Sequence, residues 1–145
     1  MTRVLVLGGP NLGRLGAREP EVYGSETHAE LEALLVAYGS ERGLHVEVRQ
    51  TESEAVLVGW IHEACDGRVP VVINPAAFTH YSYALRDACA QHTATLIEVH
   101  LSNPAARESF RRESVISPVA DGTIAGFGPR SYLLALDVIA SSIAD

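Results

Sequence analysis

The feature of this sequence that most constrains its fold is a five-fold alternation of short apolar runs with amphipathic segments. Residues 3–8 (RVLVLG) read as a buried strand. It stops at Gly8-Gly9-Pro10-Asn11, a string that continues neither a strand nor a helix. Residues 44–49 alternate apolar and polar, residues 69–73 are wholly apolar, residues 95–99 form the next strand before His100, and residues 122–125 form a last short one. Helical signals fall between them. Thr27-His28-Ala29-Glu30 is a capping box, followed by Leu31, Leu34, Leu35 and Tyr38 at helical spacing, with Gly43 in the C-cap position. Thr51 and Glu54 read as a second capping box, opening a helix to about Asp66-Gly67. Thr79 reads as the cap of a helix running to about His92. Asn103-Pro104 places a cap before a proline at the first position of a short helix, and Pro129 opens a closing helix through Leu133, Leu136 and Ile139.

Strand–helix alternation of this kind builds a parallel sheet covered on both faces. Right-handed crossovers favour a doubly wound, flavodoxin-like α/β sandwich of three layers, its five parallel strands in the order 2-1-3-4-5. A chain of 145 residues suits one domain, residues 1–145, and no linker or internal repeat divides it. Ligands of such sheets sit beyond the carboxyl ends of the strands, near the switch in strand order.

Charge and composition exclude several chemistries. Eighteen acidic residues against 11 basic ones give a formal net charge of -7, which opposes a nucleic-acid surface. All the basic residues are arginine. Without lysine the chain forms no Schiff base and no lysine-bearing P-loop. Two cysteines, Cys65 and Cys89, are too few for a disulfide scaffold and read as core or helix residues. No apolar run approaches the roughly 20 residues of a membrane span, and the start lacks a signal-peptide pattern, so the expectation is a soluble cytoplasmic protein.

Three loops converge on the expected cleft: Gly9-Pro10-Asn11 after strand 1, residues 74–80 after strand 3, and His100-Leu101-Ser102-Asn103 after strand 4. Any one of these polar residues is explained as turn or cap chemistry; together they indicate a site. Glu98 and His100 alternate on one strand, so the carboxylate can orient the imidazole. No His-x-x-x-His or Cys-x-x-Cys spacing supports a metal. His28, His45, His62 and His92 read as structural or surface residues. Arg107, Arg111 and Arg112 read as a solvated basic patch, from which Arg111 can reach the cleft and clamp a carboxylate. The connection over residues 13–24 exceeds the usual loop of about 2–6 residues and reads as a lid. It carries Arg14, Arg18 and Tyr23. An arginine beside a tyrosine favours tyrosinate and makes Tyr23 a candidate general base. On spacing alone, a surface pairing of Arg18 with Glu19 or Glu21, and a Tyr23 packed under the loop, is the simpler reading.

These motifs together resemble type II 3-dehydroquinate dehydratase from end to end. The resemblance rests on Gly9-Pro10-Asn11-Leu12 with Leu15-Gly16, Arg18-Glu19-Pro20-Glu21 with Tyr23-Gly24, and Trp60-Ile61-His62-Glu63-Ala64. It continues through Ile73-Asn74-Pro75-Ala76, Thr79-His80, residues 84–88, residues 97–103, and Arg107-Glu108 with Phe110-Arg111. It implies the flavodoxin-like fold and anti elimination of water from 3-dehydroquinate to 3-dehydroshikimate through an enolate, with no metal and no organic cofactor. By this resemblance Tyr23 is the base at C2 and Arg18 holds it as tyrosinate. Asn11 anchors a water at the enolate, and His100, oriented by Glu98, protonates the departing C1 hydroxyl. Asn74, His80 and Arg111 bind ring hydroxyls, while Leu101 and Ser102 hold the substrate carboxylate. Asp87 reaches toward a neighbouring subunit in a dodecamer of four trimers. The implied partners are thus a small carboxylate substrate and copies of the same chain, with no nucleic acid and no membrane.

The chain departs from the family pattern at Gly8, Gly13, Arg14, Glu52, Tyr81, Tyr83, Ala105, Glu113 and Pro129-Arg130-Ser131. None of these is a proposed catalytic residue. A receiver-type signalling domain lacks support, since no acidic pair follows strand 1 and there is no lysine; a flavodoxin lacks its hydroxyl-rich phosphate loop. A catalytically silent quinate-binding relative is the alternative. The same chemistry serves shikimate biosynthesis and quinate breakdown.

Overall fold

The computed structural model describes residues 1–17, 19, 21 and 26–144. Five strands, β1 (Thr2–Gly8), β2 (Leu44–Gln50), β3 (Val71–Asn74), β4 (Leu96–His100) and β5 (Gly122–Ala125), form one sheet in the order β2-β1-β3-β4-β5. Every pairing is parallel. The strands alternate with helices α1 (His28–Ser40), α2 (Glu54–Gly67), α3 (Tyr83–Cys89) and α4 (Arg130–Ala144).

The period-two alternation of the strands divides the core. Val4 and Val6 of β1, with Val46, Val72, Ile97 and Val99, pack against Leu31 and Leu35 of α1 and Leu136 and Ile139 of α4. Leu5 and Leu7, with Val71, Ile73 and Leu96, meet Leu57 and Ile61 of α2 and Leu85 and Cys89 of α3. Helices thus cover both faces, which is why the inner strands read as continuous apolar runs.

Local capping departs from expectation in three places. Thr27 does cap α1, accepting the Glu30 N–H at 3.1 Å. Gly43, however, lies beyond the helix end at Ser40, closing a turn with φ of 78°. Ser53 rather than Thr51 caps α2, accepting the Val56 N–H at 3.2 Å. Ser82 rather than Thr79 caps α3, accepting the Leu85 N–H at 3.1 Å, so α3 begins later than the sequence indicates. In each case another hydroxyl or turn lay within a few residues of the one expected. Ser82 also donates to Glu54 of α2, tying the two helices together at 2.5 Å.

The register aligns Gly8 at the end of β1 with Asn74 at the end of β3. Gly9 follows and donates its N–H to the Asn74 carbonyl at 2.9 Å. A Cβ at Gly9 would stand 2.5 Å from the Pro75 carbonyl oxygen and 2.8 Å from its carbon. Those atoms are backbone and cannot rotate away. Gly9→Ala is therefore expected to destabilise the chain by about 1–3 kcal/mol, the range for overpacking a closed contact. Denaturant unfolding measures this, and an unchanged midpoint would mean the two loops separate at little cost.

Candidate active site

The carboxyl ends of β1, β3 and β4 open into a pocket of about 200 Å³. Pro10, Asn11 and Leu12 border it from β1, Asn74, Ala76, Ala77 and His80 from β3, and His100, Leu101 and Ser102 from β4. Pro104, Arg107 and Arg111 close it from the segment that follows. All three loops expected at the cleft meet there. Of the residues singled out from the sequence, Asn11, Asn74, His80, His100, Leu101, Ser102 and Arg111 border the pocket. Glu98 lies directly behind His100, with no solvent exposure. Asp87 does not border it; it is exposed on α3, 3.6 Å from Arg86. Arg18 and Tyr23 lie outside the described residues.

Two non-glycine residues at the rim hold left-handed backbone. Asn11 has φ of 71° and Ala76 φ of 53°. Asparagine tolerates this conformation and alanine does not readily, so neighbours must impose it. For Ala76 the neighbour is Asn74, whose Oδ1 accepts the Ala76 N–H at 3.1 Å. For Asn11 it is Glu52, whose carboxylate accepts the Asn11 N–H at 3.0 and 3.2 Å. Gln50 completes that brace through Nε2, which donates to Glu52 at 2.9 Å and to the Gly9 carbonyl at 3.1 Å. The Gln50 Oε1 would lie 2.8 Å from a Cβ at position 13, so a larger residue there would displace the end of the Gln50 side chain.

Asn74 is almost fully buried and gives one Nδ2 proton to the Tyr132 phenol oxygen at 3.0 Å, which leaves its second Nδ2 proton for the pocket. Burial pushes the Tyr132 hydroxyl up to about 12, so it stays neutral there. His80 is fixed by Nδ1, which donates to the Glu113 carbonyl at 2.7 Å, and by edge contact with Phe110 at 6.1 Å between ring centroids.

Glu98 accepts from four groups. His100 Nε2 donates at 2.5 Å, Ser117 at 2.6 Å, Ser114 at 2.9 and 3.0 Å, and Thr79 completes the set. Burial alone would raise this carboxyl; the bonds from His100, Ser117 and Thr79 outweigh burial and hold it below the usual carboxylate range. With Nε2 committed to Glu98, Nδ1 is the imidazole nitrogen left for a ligand. The alternation of Glu98 and His100 was legible in the sequence; the serines and Thr79 were not, because Ser114 and Ser117 lie far along the chain and Thr79 resembled a helix cap.

Arg107, which the sequence places only in a solvated basic patch, belongs to the site. It borders the pocket with a side chain only 17% exposed, 3.4 Å from Ser102 and 3.8 Å from Glu19. Arg111, equally covered, is held by Glu108 at 2.9 Å and lies over Phe110. The pocket therefore offers two guanidinium groups, amide and imidazole donors, and one imidazole backed by a carboxylate. That set suits a hydroxylated carboxylate ligand and proton transfer to a leaving oxygen. The other histidines and both cysteines lie outside it: His28, His45 and His62 on the surface, His92 after α3, Cys65 and Cys89 in the core between α2 and α3.

Comparison with known proteins agrees with this geometry. Residues 2–140 match the family model described as dehydroquinase class II. The chain is 57% identical over 141 residues to a 3-dehydroquinate dehydratase of Kineococcus radiotolerans, covering 97% of each. It is 56% identical over 140 residues to one of Mycobacterium tuberculosis, covering 97% of this chain and 95% of that one. Among solved structures, a type II dehydroquinase from Propionibacterium acnes superposes with a TM-score of 0.96 at 58% identity, covering 97% of both chains. With full-length similarity in sequence and fold, the chain belongs to the class II dehydroquinase family.

Proposed function

We propose that this protein is a type II 3-dehydroquinate dehydratase, removing water from 3-dehydroquinate to give 3-dehydroshikimate. The observation that carries the reading is the Glu98–His100 pair at the end of β4, opening into a pocket that two arginines line. The substrate is a carboxylate and the chain carries a net charge of -7, so local cations must draw it in. Arg107 and Arg111 supply that charge at the mouth.

The chemistry divides into two proton transfers. The C2–H bond breaks toward a base, and the electrons spread onto the C3 ketone as an enolate. The C1–O bond then breaks, its oxygen takes a proton, and a C1–C2 double bond conjugated with the ketone remains. His100 is the acid, delivering its Nδ1 proton to the departing hydroxyl while Glu98 holds Nε2. Tyr23 is the base and Arg18 the cation that favours its phenolate; both assignments rest on the family motif. Asn11 holds a water at the enolate from its braced left-handed position. Asn74, His80 and Arg111 bind ring hydroxyls, and Leu101 with Ser102 takes the carboxylate. The reaction uses no metal or organic cofactor.

The working form is a dodecamer of four trimers, each chain one catalytic domain, in the cytoplasm. Asp87 then serves a neighbouring subunit's site, which fits its exposure on α3 away from its own pocket. The exposed rings of Tyr81 and Tyr83 beside it provide contact area for such a neighbour. Among the described residues no helix is long and apolar enough to cross a membrane.

Mixing the protein with 3-dehydroquinate and following the ultraviolet absorbance of the conjugated enone tests the activity directly; binding without turnover would instead favour a silent relative. Tyr23→Phe is expected to lower turnover by about 10²–10⁴-fold, the usual range for a lost general base, while folding is retained. Near-normal turnover would remove Tyr23 from the mechanism. His100→Ala should leave solvent exchange of the C2 hydrogen faster than dehydration, because only loss of the hydroxyl needs its proton. An equal collapse of both would make His100 a binding residue. Arg18→Ala should mainly lower turnover and move the acid-side limb of the pH profile, which the base sets by losing its proton, to higher pH, since tyrosinate loses the cation that favours it. Arg111→Ala should mainly raise KM, because it touches substrate in ground and transition states alike. Arg14→Ala should change capture only modestly, and a loss as large as that at Arg18 would move the activating charge to position 14.

A further inference from the structure

The hydroxyls around Glu98 have no role in the reaction as written, yet their bonding leaves them little freedom. A serine hydroxyl offers one proton and two lone pairs. Ser114 Oγ accepts the N–H groups of Ile116 at 3.1 Å and Ser117 at 2.9 Å, which uses both lone pairs. Its proton is left for Glu98, with a second branch to Thr79 Oγ1 at 2.8 Å. Ser117 gives its proton to Glu98 and stands 3.0 Å from Thr123, whose hydroxyl then donates to it. Thr79 donates to the same carboxylate oxygen that faces His100. The cage therefore presents protons on every side. A protonated Glu98 would have to turn one of these bonds around, and Ser114 has no lone pair to receive it.

We propose that Ser114, Ser117 and Thr79 form a donor cage that confines the proton of the Glu98–His100 pair to the imidazole, making Ser114 and Ser117 positioning residues for the acid step. This rests on the reading of His100 as the acid. The cage acts through Glu98 alone; none of its hydroxyls borders the pocket. Both serines follow directly on the segment that carries Arg107 and Arg111. One carboxylate thus anchors that segment and orients the acid.

Other ionisable groups near the pair do not replace the cage. His80, Arg107 and Arg111 border the pocket and bond to the Glu113 carbonyl, Ser102 and Glu108 in turn. From α3, Cys89 lies near Glu98, but burial pushes its thiol up to about 12 and it stays neutral. From α4, Tyr132 is likewise neutral and bonded to Asn74. From β5, the contact is the uncharged Thr123, through Ser117.

The test follows the Glu98 carboxyl itself by 13C NMR, assigned by its loss in Glu98→Gln. In the unsubstituted protein, donors to the charged form keep Glu98 ionised as pH falls through the ordinary carboxylate range. Removing a donor raises the pH at which it takes up a proton. Ser117→Ala, at a half-buried position, and Ser114→Ala should each raise that midpoint by about one pH unit. Ser117→Thr, which keeps the hydroxyl, should restore it. In the same variants dehydration should slow about tenfold, one pH unit's equivalent, while C2 hydrogen exchange persists. An unmoved Glu98 midpoint in folded Ser117→Ala overturns the proposal. So does an equal fall of exchange and dehydration that threonine does not restore. Because the carboxyl titration needs no substrate, it decides the cage even if dehydratase activity were absent.

Discussion

An ionised carboxylate with no solvent exposure sits at the carboxyl end of the sheet, and much of the site depends on how it is satisfied. Taking such a group out of water carries a penalty of several kcal/mol unless hydrogen bonds replace its hydration. For Glu98 they come from β4 itself, from the turn after β3, and from the stretch that follows the two arginines. All three segments donate to the one carboxylate. The pocket walls are thereby fixed to one another through a single charge, and the acid is oriented by the same contacts that hold the walls.

A second brace of the same kind stands on the β1 side. There the Glu52 carboxylate, steadied by Gln50, accepts the N–H of Asn11 and holds it in left-handed backbone at the pocket rim. Glu52 is one of the departures from the family pattern, and its place is now physical: it lies on the loop after β2, one strand away from the pocket, and acts through backbone. The two carboxylates differ in exposure. Glu98 is sealed among hydroxyls and Glu52 is open to solvent, so salt screens the second brace and barely reaches the first.

The negative charge of the chain sharpens the role of the arginines. Arg107 and Arg111 are largely covered and paired with acidic side chains, so each arrives at the pocket already oriented. A planar guanidinium held this way recognises carboxylate and hydroxyl oxygens at lower entropic cost than a free side chain. The pairing of Arg107 with Glu19 also connects the pocket to the stretch between α1 and β1 that the sequence marks as a lid.

The sequence by itself determined the sheet and the loops that converge. Strand period, apolar runs and Gly/Pro punctuation are local properties of the chain, and right-handed crossover favours the doubly wound order the structure adopts. Glu98 and His100 were legible because alternation along a strand places them on one face. What only the tertiary structure decided depends on residues distant in sequence. Thr79 looked like a helix cap until β4 came beside it, Ser114 and Ser117 carried no local signal, and Arg107 was indistinguishable from a solvated neighbour of Arg111 and Arg112. Hydrogen-bond capacity is a property of composition, but its assignment is not. A hydroxyl caps whichever helix end, or joins whichever carboxylate, the folded chain brings within about 3 Å.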